Sequence, residues 1–287
     1  MTLTSVLTVL EGRAGDEALL GMALDLARAR ALAVELLAVK PPRERMVPLV
    51  ADGMTGGAVG EIVEALEDQA ASRLEETQAL YQRLCVDGGV PTSEEEAGQP
   101  GFRVHFEVDE GDIEVVVASR GQRCDLIALA RPVEAEDRLY APALEAALFT
   151  TGRPVLLSPS EKPKGLGSRV LVAWNDGAES ARALAAAMPF LIDAETVDVV
   201  AIQDAGCEAD PAAMTPYMKR HGIEATCRRL DPDYRDLGEQ LLDEAKACEA
   251  DLLVMGAYGH SRLRELVLGG VTRQILATAT IPVLMMH

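Results

Sequence analysis

One pair of buried motifs occurs twice in this chain. CDLIALA at 124–130 matches ADLLVMG at 250–256, and GRPVLLS at 152–158 matches TIPVLMM at 280–286. SVLTVL at 5–10 and RVLVAW at 169–174 open the two copies. All are short, continuous apolar runs, the composition of strands covered on both faces. Such strands require helices above and below, which restricts the chain to a mostly parallel sheet wound with helices. Two consecutive α/β units divide the 287 residues into domains of ordinary size.

Between the repeated strands, apolar residues recur at helical spacing. Residues 13–30 read as a helix on the stripe Leu19, Met22, Ala23, Leu26 and Ala27. After a strand at 33–39, residues 41–60 carry turn residues without a clear period and read as a loop. Residues 61–85 read as a helix burying Ile62, Leu66, Ala70, Leu74, Thr77, Tyr81 and Leu84, with a charged, solvated opposite face. Strands are expected at 102–108, 124–130 and 154–157, with helices at 112–120 and 139–149. EKPKGLG at 161–167 has linker composition. The second unit repeats the order: strands at 170–174, 197–202, 223–230, 252–255 and 281–286, and a helix at 179–188 ending at Pro189. Further helices are expected at 210–220 and at 234–248, the latter opened by the Asp-Pro-Asp cluster at 231–233. The expected domains are 1–160 and 167–287.

Charge narrows the function classes. A formal net charge of −19 disfavours nucleic acid and anionic membrane surfaces, both of which need a basic footprint. The five cysteines are scattered without a C-x-x-C pair, as expected for reduced thiols in the cytoplasm. The N-terminal residues lack the basic and apolar regions of a signal peptide, and no run reaches the ~18 apolar residues of a membrane span. His105, His221 and His287 have no ligand at metal spacing, and Ser261 has no nucleophile-elbow context.

The stretch DLLVMGAYGHSRLRELVLGGVT, residues 251–272, carries the chemistry. Its apolar strand stops at Gly256-Ala-Tyr-Gly259, and Gly269-Gly270 precedes an apolar-periodic segment. A glycine pair inside a helix costs about 1 kcal/mol per residue relative to alanine, so the pair is expected to start the helix. A strand, a glycine loop and a helix N-terminus leave backbone N–H groups aimed at one place, a site for phosphate. The alternative is that these are only turn glycines.

The spacing resembles the nucleotide loop of the universal stress protein family, G-x2-G-x9-G-[ST]. Gly256, Gly259 and Gly269 match; Gly270 stands where the family has Ser or Thr, and Thr272 lies close enough to substitute. The tandem repeat extends the resemblance over essentially the whole chain. It implies a universal stress protein/HUP-like fold: two tandem doubly wound five-stranded parallel sheets whose closing strands meet in an intramolecular pseudo-dimer. It also implies adenine contacts from Asn175, in place of the family's Asp, and from Ile202, with Val271 and Thr272 beside the phosphates. As an alternative, Asn175 and Asp176 simply cap the helix that follows. The first half has Ala130-Arg131-Pro132-Val133 at the matching place, with no glycine pair and one N–H donor fewer, implying a structural role. His260, Arg262 and Arg264 fall inside the loop.

Three functions follow from different classes. The first is a cytoplasmic stress-response protein binding ATP or another adenine nucleotide, with Mg2+, as sensor or regulator. The second is a tandem interaction scaffold with a relic loop and an unknown protein partner. The third is an enzyme, disfavoured because no general base or acidic metal cluster adjoins the loop; at most slow ATP hydrolysis is expected. With its closing strands paired internally, the chain is expected to be a monomer or a homodimer.

Overall fold

A computed structural model describes residues 2–43, 56–93, 101–132, 141–202, 209–232, 236–257 and 270–287. The first half runs β1 (Ser5–Leu10), α1 (Asp16–Arg30), β2 (Ala33–Lys40), α2 (Gly56–Tyr81), β3 (Arg103–Glu110), α3 (Ile113–Gly121), β4 (Leu126–Ala130), α4 (Ala141–Thr150) and β5 (Val155–Ser158). The second half runs β6 (Arg169–Ala173), α5 (Ala178–Leu191), β7 (Thr196–Ile202), α6 (Thr215–Arg220), β8 (Ala225–Leu230), α7 (Leu237–Ala247), β9 (Leu252–Gly256), α8 (Gly270–Thr278) and β10 (Val283–Met286).

The two parallel sheets expected from the repeat are joined into one. Its order is β3-β2-β1-β4-β5-β10-β9-β6-β7-β8. Every pairing within a half is parallel; the seam between β5 and β10 is antiparallel, with Leu156 opposite Leu284. The order reads the same from either edge, as a two-fold axis through the seam and normal to the sheet requires. Such an axis keeps each face on its own side. One core layer therefore combines α1 residues Leu19 and Leu26 with α5 residues Leu184 and Phe190. The other combines α4 residues Ala143 and Ala147 with α8 residues Ile275 and Leu276. Both cores cross from half to half, so neither half buries its apolar surface alone.

Equivalent aspartates explain part of the repeated motif. Asp125, just before β4, accepts N–H bonds from Thr4 (2.8 Å) and Ser5 (3.2 Å), fixing the start of β1. Asp251, just before β9, accepts from Gly167 (3.0 Å), Ser168 (3.1 Å) and Arg169 (2.9 Å), fixing the start of β6. Each aspartate thus ties together the two central strands of its half. The bonds also hold the Asp125 carboxyl below its usual range, although burial opposes them.

Several local expectations need correction. The helix expected to stop at Pro189 continues to Leu191. Proline lacks one N–H, but near a helix end the loss is offset by burying Phe190 and Leu191. The segment 41–60 is not all loop, because α2 begins at Gly56. On α2, Thr77 is buried as expected, but Leu66 is 38% exposed while Val63 and Leu80 are buried, so the inward stripe is only in part the expected one. Residues 210–220 split into a 3-10 turn at Pro211–Met214 and the short α6. The helix expected from 234 begins at Leu237, capped by Asp236, whose Oδ1 accepts the Gly238 N–H at 2.8 Å.

Candidate functional site

In a doubly wound sheet, ligands bind beyond the carboxyl ends of the strands where the strand order reverses. Those places lie between β1 and β4, and between β6 and β9. At the second, β9 ends at Gly256 and α8 begins at Gly270; Gly259 and Gly269, with His260, Arg262 and Arg264, lie outside the described residues. Gly270 is exposed, Val271 is half-buried, and the Thr272 side chain is buried at 4% exposure.

Gly256 has a packing reason to be glycine. A Cβ there would lie 2.6 Å from the Ser180 N and 2.8 Å from the Glu179 Cβ, inside the first turn of α5. The glycine lets α5 press against the end of β9. The first half solves the same approach from the other side. There Gly15, before α1, faces Ala130 at the end of β4, with 3.2 Å between a Gly15 Cβ and the Ala130 Cβ.

The turn after β6 is shaped by Asn175 and Asp176. Asn175 Oδ1 accepts the Gly177 N–H at 3.1 Å, and Asp176 sits at φ 61, in the left-handed region asparagine and aspartate tolerate best. The exposed Asn175 therefore organises the turn that delivers α5. Ile202, half-buried at the end of β7, packs against the core of the α8 face.

A carboxylate stands beside the start of α8. A Gly270 Cβ would lie 3.8 Å from Asp236 Oδ2, while Asp236 Oδ1 caps α7. Amides at a helix start suit phosphate; this carboxylate repels bare phosphate and suits a divalent cation bound to it.

The first-half site differs in kind, and its key residue was not anticipated from the sequence. Asp16 Oδ2 accepts the backbone N–H groups of Glu11 (2.8 Å), Gly12 (2.8 Å) and Arg13 (3.3 Å). Gly12, at φ 67, leaves room only for hydrogen, since a Cβ would lie 2.5 Å from the Arg73 carbonyl oxygen of α2. Asp16 is 2% exposed, and burial pushes its carboxyl up to about 6 against the pull of these bonds. The Glu11–Arg13 ion pair lies alongside. An internal carboxylate thus occupies the amides that face the end of β1. The only signal in the sequence is Gly-x-x-x-Asp after the first strand, which is too common to use.

Arg131 follows β4 as Ala257 follows β9: their N–H groups bond Ser158 and Met286 carbonyls at 3.0 and 2.9 Å. Among the described residues no group of three or more His, Cys, Asp or Glu is suited to a metal ion, and no helix is long and apolar enough to cross a membrane. Burial raises the Cys85 thiol to about 11 and, with Glu35, the Cys124 thiol to about 12, so neither is a thiolate nucleophile at neutral pH.

Residues 201–287, which include β8, α7, β9, the loop and α8, match the sequence model of the universal stress protein family. The second half therefore carries this family's sequence signature. A stretch of 34 residues is 62% identical to a universal stress protein of Synechocystis, covering 12% of this chain and 12% of that protein. The family fold extends over both halves. A universal stress protein from Archaeoglobus fulgidus superposes with a TM-score of 0.66 at 16% identity, covering 98% of this chain and 95% of its own. A protein of unknown function from Pseudomonas aeruginosa gives 0.58 at 16% identity, covering 99% and 92%. At such identities the likeness concerns the fold; the family's sequence signature rests on the second half.

Proposed function

We propose that this chain is a universal stress protein that binds an adenine nucleotide, ATP or a close relative, in its second half, as a sensor or regulator rather than a fast enzyme. The supporting observation is where the glycine spacing falls: β9 ends at the first glycine of G-x2-G-x9-G, and the described residues of α8 follow directly after the last. In this reading Gly270, Val271 and Thr272 open α8, so that their amides lack partners within the helix and carry the positive end of its dipole. In this reading they take the phosphates, Asn175 hydrogen-bonds the base or ribose, and Ile202 offers the base an apolar contact. Mg2+ would neutralise phosphate charge, with Asp236 as the adjacent described carboxylate. The working division is 167–287 as the ligand-binding unit and 1–160 as the supporting one, in a monomer acting in the cytoplasm.

A second reading is a tandem interaction scaffold with a relic loop. The Asp236 carboxylate beside Gly270, and the lack of a hydroxyl at position 270, favour it.

Melting with and without ATP and Mg2+ separates the two. Nucleotide at 100 times its dissociation constant stabilises the native state by about 2.7 kcal/mol, a visible shift. Gly259→Val is expected to abolish the shift, because a β-branched residue disfavours positive φ and blocks close approach. Ala130→Val, in the first half, is expected to keep it. No shift in the wild-type protein at millimolar ATP would leave the scaffold reading.

A further inference from the structure

Arg131 crosses from the first half into the second. Its Nη1 donates to the Leu276 carbonyl at 2.7 Å, in the last turn of α8. The residue is 7% exposed, and its Nε has no hydrogen-bond partner among the described residues. A buried cation held by one such bond is costly unless its surroundings carry opposite charge. Here the carbonyl end of α8 supplies it, through acceptors left over at the helix terminus and the negative end of the dipole. Ile275 and Leu276 also share a core with Ala143 and Ala147 of α4. Bond and packing together hold the far end of α8 to the first half.

The other end of this nine-residue helix is Gly270. A short helix moves nearly as a rigid rod, so a fixed point at Leu276 restricts where the first-turn amides can lie. We propose that Arg131 is a positioning residue for the second-half site: from the first half it anchors α8, pre-setting the amides of Gly270–Thr272 for phosphate. The inference rests on the nucleotide reading above. It gives the first half a task in binding although it lends the ligand no contact.

The test uses the full chain and three variants. Arg131→Met keeps an apolar side chain of similar reach and removes every donor; Arg131→Lys restores one charged donor. Val104→Ala, on the distant edge strand β3, is a control for general loss of stability. ATP affinity with Mg2+ is measured by calorimetry, and α8 amide exchange is measured without nucleotide. Arg131→Met is expected to weaken ATP binding roughly five- to a hundredfold, the usual range of coupling between sites, and to speed exchange in α8. Arg131→Lys should recover most of both, and Val104→Ala should melt earlier with affinity and α8 exchange unchanged. Should Arg131→Met not fold, Arg131→Leu, which also lacks a donor, takes its place with the same expectations. If the wild-type chain binds ATP and the Met variant binds equally well, the coupling is wrong and the nucleotide reading stands. An equal loss of affinity in Val104→Ala also overturns the coupling. If the wild-type chain binds no ATP, the nucleotide reading falls and the coupling falls with it.

Discussion

The two strand-end sites share one topology and differ in what faces the amides after the first strand of each half. In the first half Asp16 accepts the N–H groups of Glu11, Gly12 and Arg13, and the site is closed by the protein's own carboxylate. In the second half the Asn175 side chain accepts the Gly177 N–H and stays exposed. The strand-end residues diverge in the same sense. Arg131 turns away to hold α8, whereas Ala257 bonds only through its backbone among the contacts described. A duplicated unit can thus keep its strands and helices, which the cores enforce, while its ligand-facing loop is rebuilt as a structural joint.

The largest expected effect probes what the halves have in common. Leu156 and Leu284 face each other across the antiparallel seam, both fully buried. Leu156→Ala and Leu284→Ala should each cost about 2–5 kcal/mol, with a single denaturant transition in both variants. Separate transitions for the two halves would show that the shared cores do not couple them.

Next is the pH dependence of the closed site. The Asp16 carboxyl titrates near 6 in the folded chain against 3.8 for an unburied one. Between those values the native state holds the extra proton, so this contribution is present below pH ~4 and is lost as pH rises through 6. The loss amounts to about 2–3 kcal/mol. Asp16→Asn should flatten that slope in a series of melts from pH 4 to 7. Asn175, in the turn after β6, carries no charge to titrate, and Asn175→Ala should leave the slope intact.

A smaller effect separates the two helix approaches. Gly256→Ala should destabilise by about 1–3 kcal/mol, because its Cβ meets the α5 backbone. Gly15→Ala should cost less than about 1 kcal/mol, because at 3.2 Å from the Ala130 Cβ a shift of a few tenths of an ångström relieves the contact. Equal losses, measured by urea denaturation, would remove the asymmetry argued from the glycines.

The fold was legible because the repeated strands are long in apolar residues and short in alternatives: a run such as LLVM admits little but a buried strand. Helix ends were less so. Pro189 inside α5 and Asp236, rather than the 231–233 cluster, at the start of α7 follow from packing and from local competition between capping groups. The site was half legible. The family spacing singled out the stretch that joins β9 to α8. That Thr272 turns inward and that Asp236 stands beside Gly270 depended on how α8 lies against its neighbours.

The sequence by itself determined a duplicated α/β chain, its strand and helix order, and the half that carries the glycine loop, because periodicity and turn chemistry are local properties. Only the tertiary structure decided that the two sheets merge at β5 and β10, that Asp16 fills the first-half amides, and that Arg131 reaches Leu276. These depend on which surfaces are buried together. A side chain 145 positions away in the chain leaves no trace in any local pattern until the fold places it there.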